Sequence, residues 1–381
     1  MSLYRFKLIN AFFTPVPIDH PNIPVYLAGV NTGLCRAARD VAHGFHVHRV
    51  HTVLDVDRSA MKVLKRSHPA AERICADLLR VRLPPAVVDW IDRADVVLCN
   101  PPFSEVPLAL ADHWLRAANM PLEWSAHIRQ RAEVIFLAHN LRMLKPGGEM
   151  VMILPAAFVN GHHFQSFRAW LLDRLTVTKV VQLPINAFRS AEVRTFAIIA
   201  RKDPPPPRHK IELIDFEDSV SSVHRRFLFN QQGVARLDPL FHRTGTSPAV
   251  TLVLSELGVE VSRGRPVAEL RALKVPFFHT TDFGARALGA KLQFPPNRPL
   301  AGMPLAMVGD VLVGRIGRHC HTQVAVLRRG RIHFSDCVYR LQIPSQYRRA
   351  VFSSLSDTRG QSWRESRLRG STVSLLSKAH R

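Results

Sequence analysis

The stretch Asp95-Val96-Val97-Leu98-Cys99-Asn100-Pro101-Pro102-Phe103 decides the fold. Beyond Asp95 its first residues form a short apolar run, the pattern of a strand buried on both faces of a parallel sheet. Asn100 then stands at the carboxyl end of a strand, the edge of an open α/β sheet at which ligands bind. Two consecutive prolines fix φ and remove two backbone donors, so the carbonyl oxygens there have no competing N–H. The Asn100 side-chain oxygen and the Pro101 carbonyl can together accept both protons of an exocyclic amino group, while the Phe103 ring offers a face to a planar base. An amino group held in that way is a better nucleophile. A Pro-Pro loop after any strand would share the tetrapeptide, so its surroundings decide.

Toward the N-terminus, Val25-Tyr26-Leu27 reads as a strand, Ala28 to Gly33 as a small-residue turn and Leu34 to Val41 as a helix. A turn with Gly29 and Gly33 lets backbone approach a ligand at a helix N-terminus. Val50 to Leu54 is a second strand leading into Asp55, whose distance of roughly 20 positions past the turn suits a carboxylate accepting from the two hydroxyls of a ribose. Asp57 or Ser59 reads instead as an N-cap. A third strand, Ile74-Cys75-Ala76, ends at Asp77. Downstream the patterns predict a helix over about Leu108 to Ala118, a longer one over about Ala126 to Met143, a turn at Lys145 to Gly148 and a strand over Glu149 to Leu154. Helix Phe164 to Leu175, strand Lys179 to Leu183, loop Pro184 to Glu192 and strand Val193 to Ala200 follow. This alternation predicts an α/β fold with a doubly wound Rossmann-like sheet.

A chain of 381 residues with 46% hydrophobic and 22% charged residues has room for two domains with sizeable cores. No run reaches the roughly 18 apolar residues of a membrane span, and the first residues lack a secretory h-region, so a cytoplasmic protein without a membrane partner is expected. The cysteines Cys35, Cys75, Cys99, Cys320 and Cys337 form no CxxC pair, which argues against a disulfide framework or zinc ribbon. The group His43, His46, His48 and His51 suits no single helix face, and neither it nor His319-Cys320-His321 is read as a metal site. A net charge of +22 predicts attraction to a polyanion, and nucleic acid fits basic residues spread over the whole chain.

The tract Asp203-Pro204-Pro205-Pro206-Pro207 is stiff and extended, ending the sheet's last hairpin or marking a linker. Strand-like Lys210 to Asp215 follows it, which puts the domain boundary later, between about Arg236 and Val250. Beyond it, short β-branched runs, many turns and dense arginine (Arg315, Arg318, Arg328, Arg329, Arg331) predict a mostly β second domain.

In this order the pieces resemble the gamma-class N6-adenine DNA methyltransferases of restriction-modification systems, with a catalytic domain (1–240) followed by a target-recognition domain (250–381). Phe13-Thr14-Pro15 looks like that family's N-terminal cofactor motif, Asp55 like its ribose-binding acid, Asp77 like the acid that receives the cofactor adenine's amino group, and Asn100 to Phe103 like its catalytic motif. Pro184 to Phe188 is similar to a later motif in which an aromatic residue, here Phe188, packs on the second face of the target adenine. Val261 to Gly264, Val275 to His279, Gly309 to Val313 and Gly370 to Val373 are similar to the recognition domains of type I specificity subunits. The glycine motif departs from the family: Leu27, Ala28 and Asn31 replace an acid, a proline and a glycine, and only Thr32-Gly33 matches.

The resemblance implies transfer of a methyl group from S-adenosylmethionine to adenine N6 in double-stranded DNA, with a restriction endonuclease subunit as a further partner. Thr14, Pro15, Gly29, Gly33, Asp55, Asp77 and Asn100 would hold the cofactor, and no metal is implied. Asn100, Pro101, Pro102 and Phe103 would act on an adenine flipped out of the duplex and stacked between Phe103 and Phe188. Arg315, Arg318, Arg328 and Arg331 would contact DNA. Two other readings stay open: a DNA-binding homologue that no longer catalyses, and a methyltransferase acting on RNA or a protein glutamine.

Overall fold

The computed structural model describes residues 25–28, 50–67, 72–183, 193–216, 223–243, 253–284, 288–295, 299–317 and 319–370. The readings placed on Thr14, Pro15, Gly29, Asn31, Gly33, His43, His46, His48, Phe188, Arg318 and residues 371–373 lie outside them. The chain divides into two compact units, Met1–Pro239 and Leu240–Arg381.

The first unit is built on a nine-stranded sheet in the order β3-β2-β1-β4-β5-β7-β6-β8-β9. Strands β1 (Val25–Ala28), β2 (Val50–Asp55), β3 (Glu72–Cys75), β4 (Ala94–Cys99) and β5 (Leu144–Pro155) run parallel. The order runs outward from β1 to β3 on one side and from β4 to β5 on the other, so the winding reverses between β1 and β4. That reversal opens the crevice in which doubly wound sheets bind ligands. β6 (Thr176–Gln182) is antiparallel to β7 (Thr195–Arg201), which is also antiparallel to β5; β8 (Lys210–Phe216) pairs parallel with β6, and β9 (Val223–Phe229) closes the far edge. The doubly wound expectation holds.

Between β4 and β5 lie helices Leu108–Ala117, Ala126–Arg129 and Ala132–Met143. The last is buried at Ala132 through Leu141 and again at Met143, because it is apolar nearly all round. The single long helix expected from Ala126 to Met143 is therefore two. At the break Arg131 is extended (φ −84°, ψ 126°), and the backbone groups around it are spent on another segment: Gln130 O accepts from Val106 N–H at 2.8 Å and Ala132 N–H donates to Ser104 O at 3.0 Å. The expected turn at Lys145 to Gly148 lies inside β5 as an irregularity. Ala94 pairs with Leu144 and Val96 with Glu149, and Gly147 takes up the excess at φ +76°, where a Cβ would be strained.

The proline tract does not leave the sheet. It carries the chain from β7 across β6 to β8, held by Thr176 Oγ1 on the carbonyls of Asp203 and Pro204 at 3.0 and 3.1 Å. The second unit contains β10 (Glu260–Arg263), β11 (Phe277–Phe278), β12 (Leu288–Gln293), β13 (Leu305–Ala306), β14 (Val311–Gly314), β15 (Val324–Arg329), β16 (Ile332–Phe334) and β17 (Val338–Gln342), which form a five-stranded sheet, β10-β17-β14-β15-β12, and a three-stranded one, β11-β16-β13, with helices Arg348–Ser356 and Thr358–Ser366. Its strands β14 and β15 form an apolar centre, giving the mostly β architecture expected. Among the described residues no helix is long and apolar enough to cross a membrane.

Candidate active site

The last residue of β1, Ala28, pairs with Leu54 on one side and Cys99 on the other. Asp55 and Asn100 each stand one residue beyond those partners, at one level of the sheet, two strand spacings or about 10 Å apart. Asp55 is buried, 9% exposed, and its Oδ1 accepts the N–H of Asp57 at 2.9 Å. Burial holds its carboxyl above the usual carboxylate range, against the backbone N–H groups of Asp57 and Val56 that pull the other way. Asp57 caps the helix Arg58–Ser67, as expected: its Oδ1 accepts from the N–H of Ser59 at 2.7 Å.

Asp55 pairs with Cys75, so Asp77 follows two residues past the end of β3, and Ala76 N–H donates to Asp55 O at 3.1 Å. The Asp77 carboxylate stays partly open to solvent. Oδ1 accepts the N–H of Leu79 at 2.9 Å and Oδ2 accepts Arg80 Nε at 3.0 Å.

β4 delivers Asn100 to the carboxyl edge with its own last residue, Cys99, buried beneath. Burial pushes the Cys99 thiol up to about 12, so it supplies no thiolate to the site. Along the tetrapeptide, Pro101 is buried, Asn100 is half-buried, Pro102 is exposed and the Phe103 ring is 37% exposed. A large aromatic left that open beside a sheet edge is available to a planar ligand. The next residues are pinned: Glu105 bridges Arg131, whose Nη2 donates to Glu133 Oε1 at 2.9 Å. Glu133 is fully buried, its Oε2 lacks a hydrogen-bond partner, and burial raises its pKa despite the Arg131 charge.

Glu133 is not among the residues singled out by motif, although an acid in an otherwise apolar helix is a signal visible in the sequence. His139 and Asn140 in the same helix carry that signal too, and both are fully buried. On the other side of Asn100, β5 ends at Pro155 against Thr195, and Ala156 N–H donates to Arg194 O at 3.0 Å. The Pro184 to Glu192 loop that carries Phe188 lies outside the described residues.

In the second unit Arg315 donates from Nη1 to Asp336 O at 2.9 Å and lies over the Tyr339 ring at 5.9 Å. Part of its guanidinium is therefore used inside the unit. Arg328 and Arg329 are exposed at the end of β15, and Arg331 is half-buried. Among the described residues no three His, Cys, Asp or Glu side chains gather closely enough to hold a metal ion.

The sheet is thus a doubly wound α/β sheet with one antiparallel strand between β5 and β6. Residues 74–253 match the family model described as N-6 DNA Methylase. The chain is 24% identical over 166 residues to the putative type II restriction enzyme and methyltransferase RM.MjaORFECS2P of Methanocaldococcus jannaschii, covering 43% of this chain and 14% of that protein. It is 25% identical over 183 residues to the type II methyltransferase M.BsuBI of Bacillus subtilis, covering 42% of this chain and 36% of that one. It thus spans well under half the length of these relatives. Among solved structures the type IIG restriction endonuclease BpuSI superposes with a TM-score of 0.50 at 12% identity, covering 99% of this chain and 56% of the other.

Proposed function

We propose that this chain is an adenine-specific DNA methyltransferase of a restriction-modification system, transferring a methyl group from S-adenosylmethionine to adenine N6 in duplex DNA. The observation that carries the reading is the position of Asn100-Pro101-Pro102-Phe103: at the carboxyl end of β4, beside the reversal of the sheet, within the segment that matches the N-6 DNA Methylase model.

The donor set fits the cofactor. Asp55 and Asp77 end neighbouring strands, and Asn100 lies across β1 from Asp55, so the ribose and adenine would be held on one side of the crevice and the sulfonium end would reach Asn100. When bound, the cofactor supplies an electrophilic methyl group. Adenine N6 is a weak nucleophile because its lone pair is delocalised into the ring. Asn100 Oδ1 and the Pro101 carbonyl, accepting its two protons, would localise that pair without a general base. Extruding the base from the duplex costs a few kcal/mol, and stacking on Phe103, with Phe188 on the other face, offsets part of it. Positioning supplies much of the remaining acceleration.

The second unit is read as a target-recognition module similar to those of type I specificity subunits, its arginines meeting phosphates and fixing register while a smaller set of side chains reads base edges. A gamma-class arrangement and a restriction partner belong to the same reading. The net charge of +22 supports the DNA partner.

The test is to incubate the full chain with duplex DNA and labelled S-adenosylmethionine, then digest to nucleosides. N6-methyladenine is expected. Label confined to cytosine, RNA or protein would overturn the proposal.

A further inference from the structure

We propose that His139 and Trp114 are positioning residues for cofactor recognition: through two backbone carbonyls they fix the loop that carries Asp77, and so fix where its carboxylate meets the adenine amino group. The inference deepens the reading above and rests on its assignment of the cofactor adenine to Asp77.

Residues 76–84, between β3 and the short helix Pro85–Val88, have no regular structure. Side chains from the helices on one face of the sheet take two of the loop's carbonyls. His139 Nε2 lies 2.9 Å from Leu78 O, and Trp114 Nε1 donates to Arg80 O, also at 2.9 Å. A carbonyl only accepts, so the His139 proton is on Nε2. The two side chains also hold each other, with His139 fully buried, Trp114 4% exposed and their rings edge to face at 4.4 Å. Trp114 also meets Arg142, 5.3 Å from the ring, and His113, edge to face at 4.8 Å.

The clamped residues are the ones that hold Asp77. Its Oδ1 takes the N–H of Leu79, which stands between the two fixed carbonyls, and its Oδ2 takes the side chain of Arg80, whose own carbonyl Trp114 holds. A shift of either carbonyl would therefore carry the carboxylate with it. Ordering a loop residue costs conformational entropy, and a loop fixed during folding spares the ligand that cost.

The price of this device is visible at His139. Its Nδ1 has no partner, in a helix where Leu or Phe would pack without an orphaned atom. Its hydrogen bond to Leu78 O is what a hydrocarbon side chain could not supply. Burial keeps the ring neutral, with a pKa lowered to about 4.

The experiment compares binding of S-adenosylhomocysteine with S-inosylhomocysteine, which lacks the exocyclic amino group, to the full chain and three variants by equilibrium titration. The parent is expected to prefer the adenosyl ligand by tenfold or more. His139→Phe and Trp114→Phe keep a ring and lose the donor, and each should shrink that preference several-fold. His139→Gln, which keeps an N–H, should restore most of it. A packing role alone would weaken both ligands alike, so variants that keep the parent's ratio would overturn the inference. Should His139→Phe fail to fold, Trp114→Phe decides the same question. A parent that binds neither ligand would remove the cofactor reading and this inference with it, whereas one that binds both equally would remove only the role of Asp77 and of its clamp.

Discussion

Asp55 and Asn100 flank β1 at one level of the sheet, each one residue past the partner of Ala28. Neither is near the other in sequence. The parallel register brings a buried carboxylate to one wall of the crevice and a carboxamide to the other.

Asn100→Ala should abolish turnover while leaving DNA affinity nearly unchanged, because it removes an acceptor used in the reacting geometry and no phosphate contact. By analogy with loss of one preorganised hydrogen bond at a reacting atom, kcat should fall about 100-fold or more. Single-turnover kinetics beside a DNA-binding titration separates the two. Parallel losses would make Asn100 a structural residue.

Asp55→Ala should weaken S-adenosylmethionine binding by roughly tenfold to a hundredfold, the loss of a charged acceptor for two hydroxyls being worth about 1.5–3 kcal/mol. DNA binding measured without cofactor should not change. Calorimetry on both ligands checks it, and an unaltered cofactor affinity would rule out the ribose assignment.

Stability should depend on pH through His139. Its folded pKa, about 4, lies below the ordinary 6.5, so between those values the unfolded chain binds a proton that the folded one excludes. The parent should lose up to about 3 kcal/mol relative to His139→Phe as pH falls from 6.5 to 4, and nothing above 7. Burial is the main cause; the hydrogen bond to Leu78 O opposes it, and repulsion from Arg142 and His113 adds to it. Denaturant melts of both proteins across this window give the difference directly; a pH-independent offset would mean that the ring is hydrated in the folded state.

In the second unit Arg328 and Arg315 should behave differently. Arg328 is exposed, so Arg328→Ala should cost DNA affinity alike on all sequences, lowering the salt slope of log affinity by about one with no change in melting temperature. Arg315→Ala should also lower stability, since Arg315 donates to Asp336 O and lies over Tyr339. Salt titrations of Arg328→Ala that overlay the parent's would leave this arginine a solvating residue.

What was legible in the sequence was whatever depends on local pattern. The apolar run before Asn100, the β/α alternation and the acids at successive strand ends are period and composition signals, and the doubly wound class of the sheet followed from the alternation. What was not legible depends on long-range partners. Nothing local marks the break at Arg131, because the groups that end the helix belong to Ser104 and Val106. Likewise Trp114 looks like an ordinary core position, and His139 is marked only as a polar residue in an apolar helix; what each holds is seen only once Leu78 and Arg80, far from them in sequence, offer their carbonyls. Arg315 is expected to meet DNA from the arginine density and the resemblance, and its hydrogen bond to Asp336 O is visible only once the strands on either side of Asp336 are placed.

Arg168 lies in the helix Gln165–Arg174 and is 1% exposed, its guanidinium shared among the carbonyls of Phe158, Gly161, Val234 and Ala235. Two of these acceptors come just after β5, and two come more than sixty residues later, beyond β9. A guanidinium cannot be dehydrated until its acceptors are present. On the ribosome, then, the segment after β5 is expected to settle only when residues 234–235, at the end of the first unit, have emerged. Chains cut after Phe229 should for the same reason be degraded faster by protease than chains cut after Pro239, although both contain every strand of the sheet.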